Sequence, residues 1–265
     1  SGAAEDVRAP ERARSLARHP VSLPRRVAPE VLDGLEPHDP RAARARRDLY
    51  RINELMGSAR FLARGLRPTR MRGPPPRLLE LGAGDGRLTL RLARMLRPSW
   101  PVADLTLLDR QRLLEPDSKP AVALARMGWR VQFLCTDALD WAGAADDALP
   151  RWDAIFTNLF LHHFEEARLR SLLAAVAERC DLFVACEPRR ARRALLGSHL
   201  LGAVGAGNVA RGDAVLSVHA GFRGQEICAA WPAPREAWSL EERPAGLFVH
   251  FIRAARRETR AAAAM

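Results

Sequence analysis

A chain of 265 residues, 48% hydrophobic, is long enough for one sizeable α/β domain with added elements and short for two. No apolar run of about 18 residues and no signal-type leader is present, so neither a membrane span nor secretion is indicated, and a cytoplasmic protein is expected. The net charge of +11 invites a nucleic-acid reading, but Lys119 is the single lysine, the arginines crowd toward the ends and there is one tyrosine to stack bases, so nucleic-acid binding is not expected.

Residues 1–40 are rich in Pro, Arg and Ala without periodicity, which predicts a poorly ordered or loosely docked arm. Over 41–72, Leu49, Ile52, Leu55, Met56, Ala59 and Leu62 recur at helical spacing until "GPPP" ends the segment, predicting a helical cap of one or two helices. From 73 to 258 the pattern alternates between strand and helix. Strands are predicted at "RLLELGA" (77–83), "DLTLLD" (104–109), "RVQFLCTD" (130–137), "DAIFTNLF" (153–160) and "DLFVACEP" (181–188). Amphipathic helices follow the first strand, with Leu88, Leu92, Met95 and Leu96 on one face, and the fourth, with Leu169, Leu172, Leu173 and Val176.

Apolar strands alternating with amphipathic helices predict an α/β, doubly wound, Rossmann-like and mostly parallel sheet covered on both faces. Residues 189–221 read as an inserted acceptor-pocket segment that opens with a helix and Gly-rich loop over 189–208, 222–231 as a further helix, and 237–245 with 247–255 as a closing antiparallel hairpin at the sheet edge. The last residues, 259–265, form a tail. Cys135, Cys180, Cys186 and Cys228 follow no zinc or disulfide spacing and read as reduced core residues.

The stretch "ELGAGDG" brings Gly82, Gly84 and Gly86 to the first strand-to-helix turn, where an open α/β sheet brings its backbone closest to a ligand. The spacing is G-x-G-x-G rather than the G-x-G-x-x-G of a dinucleotide site, and Glu80 and Asp85 would repel a pyrophosphate. Carboxylates there suit a cofactor with an ammonium and a sulfonium charge, as in S-adenosylmethionine (SAM). Asp109, at the end of the second strand, can accept from a ribose diol, and Asp137, at the end of the third, from an adenine amino group. Each of these acids alone reads equally as a turn or helix-cap residue.

With these motifs in place, residues 77–255 resemble a class I SAM-dependent methyltransferase of the UbiE-like, small-molecule branch, in which "N-x-x-L-H-H" often follows the fourth strand as it does in "TNLFLHHF". The segments "LYRINELMGSARFL" and "FRGQEICAAWP" resemble bacterial methyltransferases found alongside polyketide pathways. The resemblance implies a seven-stranded sheet with an antiparallel last strand, SAM as cofactor and S-adenosyl-L-homocysteine (SAH) as its product. It implies that Glu80, Gly82, Ala83, Gly84 and Gly86 hold the methionine moiety, Asp109 and Arg110 the ribose, Asp137 and Ala138 the adenine, and Asn158 and Leu159 the next strand end.

In-line methyl transfer needs donor and acceptor held at attack distance, and a hydroxyl acceptor also needs its proton removed. His162 and His163 are the base candidates; adjacent histidines at a helix start equally often pack or bond the backbone. Asn158 can orient a ligand or cap the turn. Glu187, at the end of the fifth strand, and His199 and His219, in the inserted segment, are candidates for the acceptor side. No metal-ligand spacing accompanies them, so no metal is expected. The expected partner is a small, aromatic or polyketide-like acceptor, with oxygen the first choice of methylated atom, in a monomer or homodimer. An RNA or protein methyltransferase, or a noncatalytic scaffold on the same fold, is the alternative.

Overall fold

The computed structural model describes residues 23–36, 38–67, 75–144 and 151–257; the start of the arm and the tail lie outside them. Asp39 caps α1 (Pro40–Met56), accepting from the Arg41 amide with Pro40 at the first helical position. Gly57, in the left-handed region at φ 72°, ends α1 and starts α2 (Ser58–Leu66), so the helical cap is a pair of helices.

The strand–helix alternation follows: β1 (Arg77–Leu81), α3 (Arg87–Leu96), β2 (Ala103–Asp109), α4 (Lys119–Arg126), β3 (Trp129–Cys135), α5 (Ala138–Gly143), β4 (Trp152–Asn158), α6 (Glu166–Arg179) and β5 (Cys180–Pro188). The inserted segment holds α7 (Arg192–Leu200), a connection through Gly205 and Gly207, and then α8 (Asn208–Ala220), a helix that the sequence reading did not mark. The helix expected over 222–231 shrinks to α9 (Glu226–Ala230), whose first amides, Ile227 and Cys228, donate to the buried carboxylate of Glu242. The chain closes with β6 (Trp238–Ala245) and β7 (Val249–Arg256).

The seven strands are ordered β3-β2-β1-β4-β5-β7-β6, with β7 antiparallel to both of its neighbours. Alternate side chains of each central strand enter opposite cores. Leu79, Ile155 and Phe183 join Trp141, Leu172 and Val176 on one face, while Leu78, Phe156 and Val184 join Leu62, Leu92 and Leu96 on the other. Both faces are covered, which is why these strands read as continuous apolar runs.

Strand order reverses between β1 and β4, so the helices that follow these two strands leave on opposite sides and open a crevice at their carboxyl ends. Among the described residues no helix is long and apolar enough to cross a membrane.

The arm departs from its loose expectation over 23–36. The Arg25 guanidinium donates to the carbonyls of Ala220 (2.8 Å) and Phe164 (2.9 Å), the Arg26 amide donates to His219 O, and the amides of Val31 and Leu32 donate to the two oxygens of Asp213. The physical reason is polar: the segment has no apolar periodicity to advertise it, and it is held by hydrogen bonds to α8 and to the turn after β4.

Candidate active site

At the end of β1 the backbone turns sharply onto β2. Amides of Gly82 and Ala83 donate to Leu108 O (2.9 and 3.1 Å), and the Gly84 amide donates to Asp109 Oδ2 at 2.9 Å. Gly82, Gly84 and Gly86 all have positive φ (71°, 57° and 71°), a conformation that side chains with a Cβ rarely adopt. The three glycines serve different ends. A Cβ at Gly82 would overlap the Phe160 ring and one at Gly86 would come within 2.7 Å of Leu114, whereas a Cβ at Gly84 would meet nothing within 4 Å.

Gly84 therefore faces open space, and that space is a cleft of about 280 Å³ lined by Ala83, Gly84, Asp109, Gln111, Leu114 and Phe133 among others. Asp109 is held in place by a second backbone donor, the Gln111 amide at 2.8 Å, leaving lone pairs on both oxygens for a ligand diol. The apolar wall of Leu113, Leu114, Phe133 and Leu134 suits a flat heterocycle. Sequence reading missed Gln111 and this wall, because only the closed sheet brings the ends of β2 and β3 together.

Other predicted residues take different places. Glu80 lies fully buried beneath the turn, its carboxylate bonded to the Thr89 hydroxyl, and burial pushes its pKa up to about 8. At neutral pH it is an uncharged acid that braces the turn from β1 through Thr89 of α3, not an anion facing a ligand. Asp137 caps α5 through the Leu139 amide (2.7 Å), the helix-cap alternative, while Ala138 is buried. Arg110 reaches away from the cleft to the carbonyl of Asp33 in the arm (3.0 Å).

The end of β4 carries the second half of the site. Leu159 is the one non-glycine residue with positive φ (52°) among the described residues, and its amide is tied to Cys186 O (2.8 Å). Backbone strain of this kind gathers at functional turns. Asn158 donates from its amide to Asn53 of α1 (3.4 Å), and its buried Oδ1 has no hydrogen-bond partner in the structure. An orphaned acceptor at the crevice is a place for a ligand N–H, such as the ammonium of a SAM methionine moiety. The residues present thus fit SAM: the open glycine turn, Asp109, the apolar wall and the Asn158 oxygen.

Beyond Leu159 the chain folds around Glu187. This carboxylate, fully buried, accepts the amides of Phe160 (3.1 Å), Leu161 (2.9 Å) and His162 (3.3 Å), and bonds His162 Nδ1 at 2.9 Å. Glu187 was expected on the acceptor surface; it is instead the internal anchor of the turn that presents the histidines, since a buried carboxylate needs several donors.

The remaining nitrogen of His162, Nε2, lies 3.2 Å from Glu30 Oε1 of the arm, and Glu30 also accepts from the Ser217 hydroxyl of α8. Burial alone would drive His162 toward neutrality, but the hydrogen bonds and charges of Glu187 and Glu30 outweigh it and raise its pKa to about 9. His162 is therefore an imidazolium at neutral pH.

His163 stacks on it with ring centroids 4.2 Å apart and is 24% exposed, with Nδ1 3.4 Å from Asp33 Oδ2. Burial, and the positive His162 beside it, lower the His163 pKa, so this ring is the neutral one of the pair. Glu30, His162 and His163 bring one ligand-type atom each to within 4.8 Å of one another.

His199 is exposed on α7 and makes no contact with this cluster, and His219 enters it only through its carbonyl, which receives the Arg26 amide. Glu30, Asp33 and Ser217 were not anticipated. Nothing in an aperiodic arm marks two carboxylates as neighbours of histidines more than a hundred residues away.

Comparison with known proteins rests on structure, for no family model and no curated protein sequence matches the chain. The plantazolicin methyltransferase BpumL in complex with SAH superposes with a TM-score of 0.58 at 15% identity, over 83% of this chain and 92% of that one. The riboflavin-type dimethyltransferase RosA from Streptomyces davawensis gives 0.52 at 16% identity, over 86% and 62%. An O-methyltransferase family 2 protein from Planctomyces limnophilus, in complex with apigenin, gives 0.51 at 17%, over 80% and 62%. The chain has the SAM-dependent methyltransferase fold. Within that methyltransferase fold, the glycine turn, Asp109 and the histidine pair all lie at the crevice where the strand order reverses.

Proposed function

We propose that the chain is a SAM-dependent methyltransferase that methylates an oxygen atom of a small, aromatic or polyketide-like acceptor. The observation that carries this reading is the adjacency of two half-sites at one crevice. The Gly84–Asp109 cleft has the shape and donors for SAM, and one strand over, the turn after β4 presents a charged and a neutral histidine side by side. The fold neighbours named above, proteins described with SAH and with small organic molecules, support the same class.

SAM supplies an electrophilic methyl group on a sulfonium centre. The chain's own residues then bind, orient and move a proton. Asp109 fixes the ribose end, the Asn158 oxygen receives the ammonium, and the bare backbone at Gly84 lets the donor lie close. With SAM bound, the crevice would hold the acceptor oxygen in line with that methyl group, for displacement of the sulfur. An acceptor that arrives protonated gives its proton to His163, the neutral and partly exposed ring, while His162, held at both nitrogens by Glu187 and Glu30, contributes a fixed positive charge beside it.

The test incubates the protein with methyl-labelled SAM and three separate pools: RNA, protein and an organic-soluble extract of its native host. Label in the organic pool, on an oxygen by mass fragmentation, is the expected result. Label confined to RNA or protein would overturn the acceptor class, and failure to bind SAH would overturn the reading altogether.

A further inference from the structure

Glu30 is bonded to the buried histidine of the turn after β4. Its carboxylate sits on His162 Nε2 and on the Ser217 hydroxyl of α8, with only 10% of its side chain exposed. His162 itself is 2% exposed, and its Nδ1 is already committed to Glu187. Without Glu30 the buried imidazolium would keep Glu187 as its counter-charge but hold one N–H with no acceptor, which is unfavourable. Whatever displaces Glu30 must supply an acceptor for His162 Nε2 and Ser217 Oγ, and a negatively charged oxygen replaces the lost carboxylate most fully.

The segment that carries Glu30 is built to be displaced. No residue of 23–36 is buried, and apart from one short 3-10 turn it has no regular structure. Its specific tethers are polar, Arg25 to carbonyls and the Val31 and Leu32 amides to Asp213, contacts that water can replace, and its apolar residues Val27, Leu32 and Leu35 are no more than half-buried.

Building on the methyltransferase reading, we propose that His162 Nε2 and Ser217 Oγ form an oxyanion subsite for the acceptor, and that the carboxylate of Glu30 is its internal placeholder. The acceptor class is thereby narrowed to molecules with an acidic oxygen, a carboxylate or a phenolate, that swaps with Glu30 on entry. The reaction then balances without a base: the oxyanion forms the new oxygen–methyl bond, the electron pair of the broken carbon–sulfur bond goes to sulfur, and the sulfonium and oxyanion charges cancel. The neutral product no longer satisfies His162, so Glu30 returns and helps expel it.

The experiment measures binding of benzoate and of 4-nitrophenolate, the two probes for carboxylate and phenolate, to the full chain saturated with SAH. Glu30→Ala is expected to bind at least one probe tenfold or more tightly than the wild type. The gain disappears when Ser217→Ala or His162→Gln is added, and uncharged benzamide shows no gain. Which probe responds says which oxyanion the subsite takes. Should Glu30→Ala fold poorly by urea titration, the isosteric Glu30→Gln is expected to show the same direction of change. The proposal is overturned by unchanged probe affinity in a folded, SAH-binding Glu30 variant, by a gain indifferent to His162 and Ser217, or by binding that requires added zinc. Loss of SAH binding in the wild type would instead strike the methyltransferase reading beneath it.

Discussion

Replacing Gly84 by alanine separates the cost of backbone strain from the cost of filling the cofactor cleft. Gly84 has φ 57°, and a Cβ there would meet nothing within 4 Å. Holding alanine in the left-handed region costs about 1–2 kcal/mol, of which about 0.4–1 kcal/mol is offset by the reduced freedom of the unfolded chain. The net destabilisation is then about 1 kcal/mol, a fall in Tm of roughly 2–4 °C for a chain of this size. The new methyl projects into the open cleft proposed to hold the cofactor. Overpacking of that kind costs about 1–3 kcal/mol, or roughly tenfold to a hundredfold in affinity. Calorimetric titration with SAH beside urea denaturation reads both numbers on one preparation. Gly82→Ala, whose Cβ would overlap Phe160, should instead lose stability and binding together. If Gly84→Ala binds SAH as tightly as wild type while showing the expected small loss of stability, the cofactor does not lie against this turn and the reasoning fails.

The other predictions concern charge. Because burial raises the Glu80 pKa from 4.5 to about 8, the stability it contributes is fully present below pH 4.5 and is lost as pH rises through about 8. At roughly 1.4 kcal/mol per pH unit this amounts to about 3 kcal/mol by pH 7; Glu80→Gln should flatten that part of the urea-stability profile, and an unchanged profile would contradict the burial argument. His162 has the same sign over a higher window, its contribution complete below 6.5 and lost through about 9, so Glu80→Gln should still weaken on the alkaline side. Asp109→Ala removes the acceptor for the Gly84 and Gln111 amides and should weaken SAH binding at least tenfold by calorimetry, with a stability loss of about 1–3 kcal/mol. With a protonated acceptor, the acid limb of the kcat profile should lie below pH 6.5, where His163 titrates, and disappear in His163→Ala; an acid limb that survives the substitution would assign the proton to another group.

Much of the cofactor half was legible in the chain because it is local. A strand ending in three glycines and an amphipathic helix is a pattern of near neighbours, and the sheet geometry then dictates that Gly84 and Asp109 meet at adjacent strand ends. The acceptor half was legible only as a pair of histidines. Sequence alone could not say which was charged, since that depends on Glu187, 25 residues on, and on Glu30, 132 residues back.

The amino-acid sequence by itself determined the order of strands and helices, the turn that must be bare of side chains and the acid that follows it, because periodicity and glycine geometry act over a few residues. Tertiary structure alone decided that Glu80 and Glu187 are internal supports rather than ligands, that Asp137 caps a helix, and that an arm without pattern delivers Glu30 and Asp33 to the histidines. The reason is that protonation and accessibility are set by whatever surrounds a side chain in space, and burial and long-range charge leave no local trace in the chain.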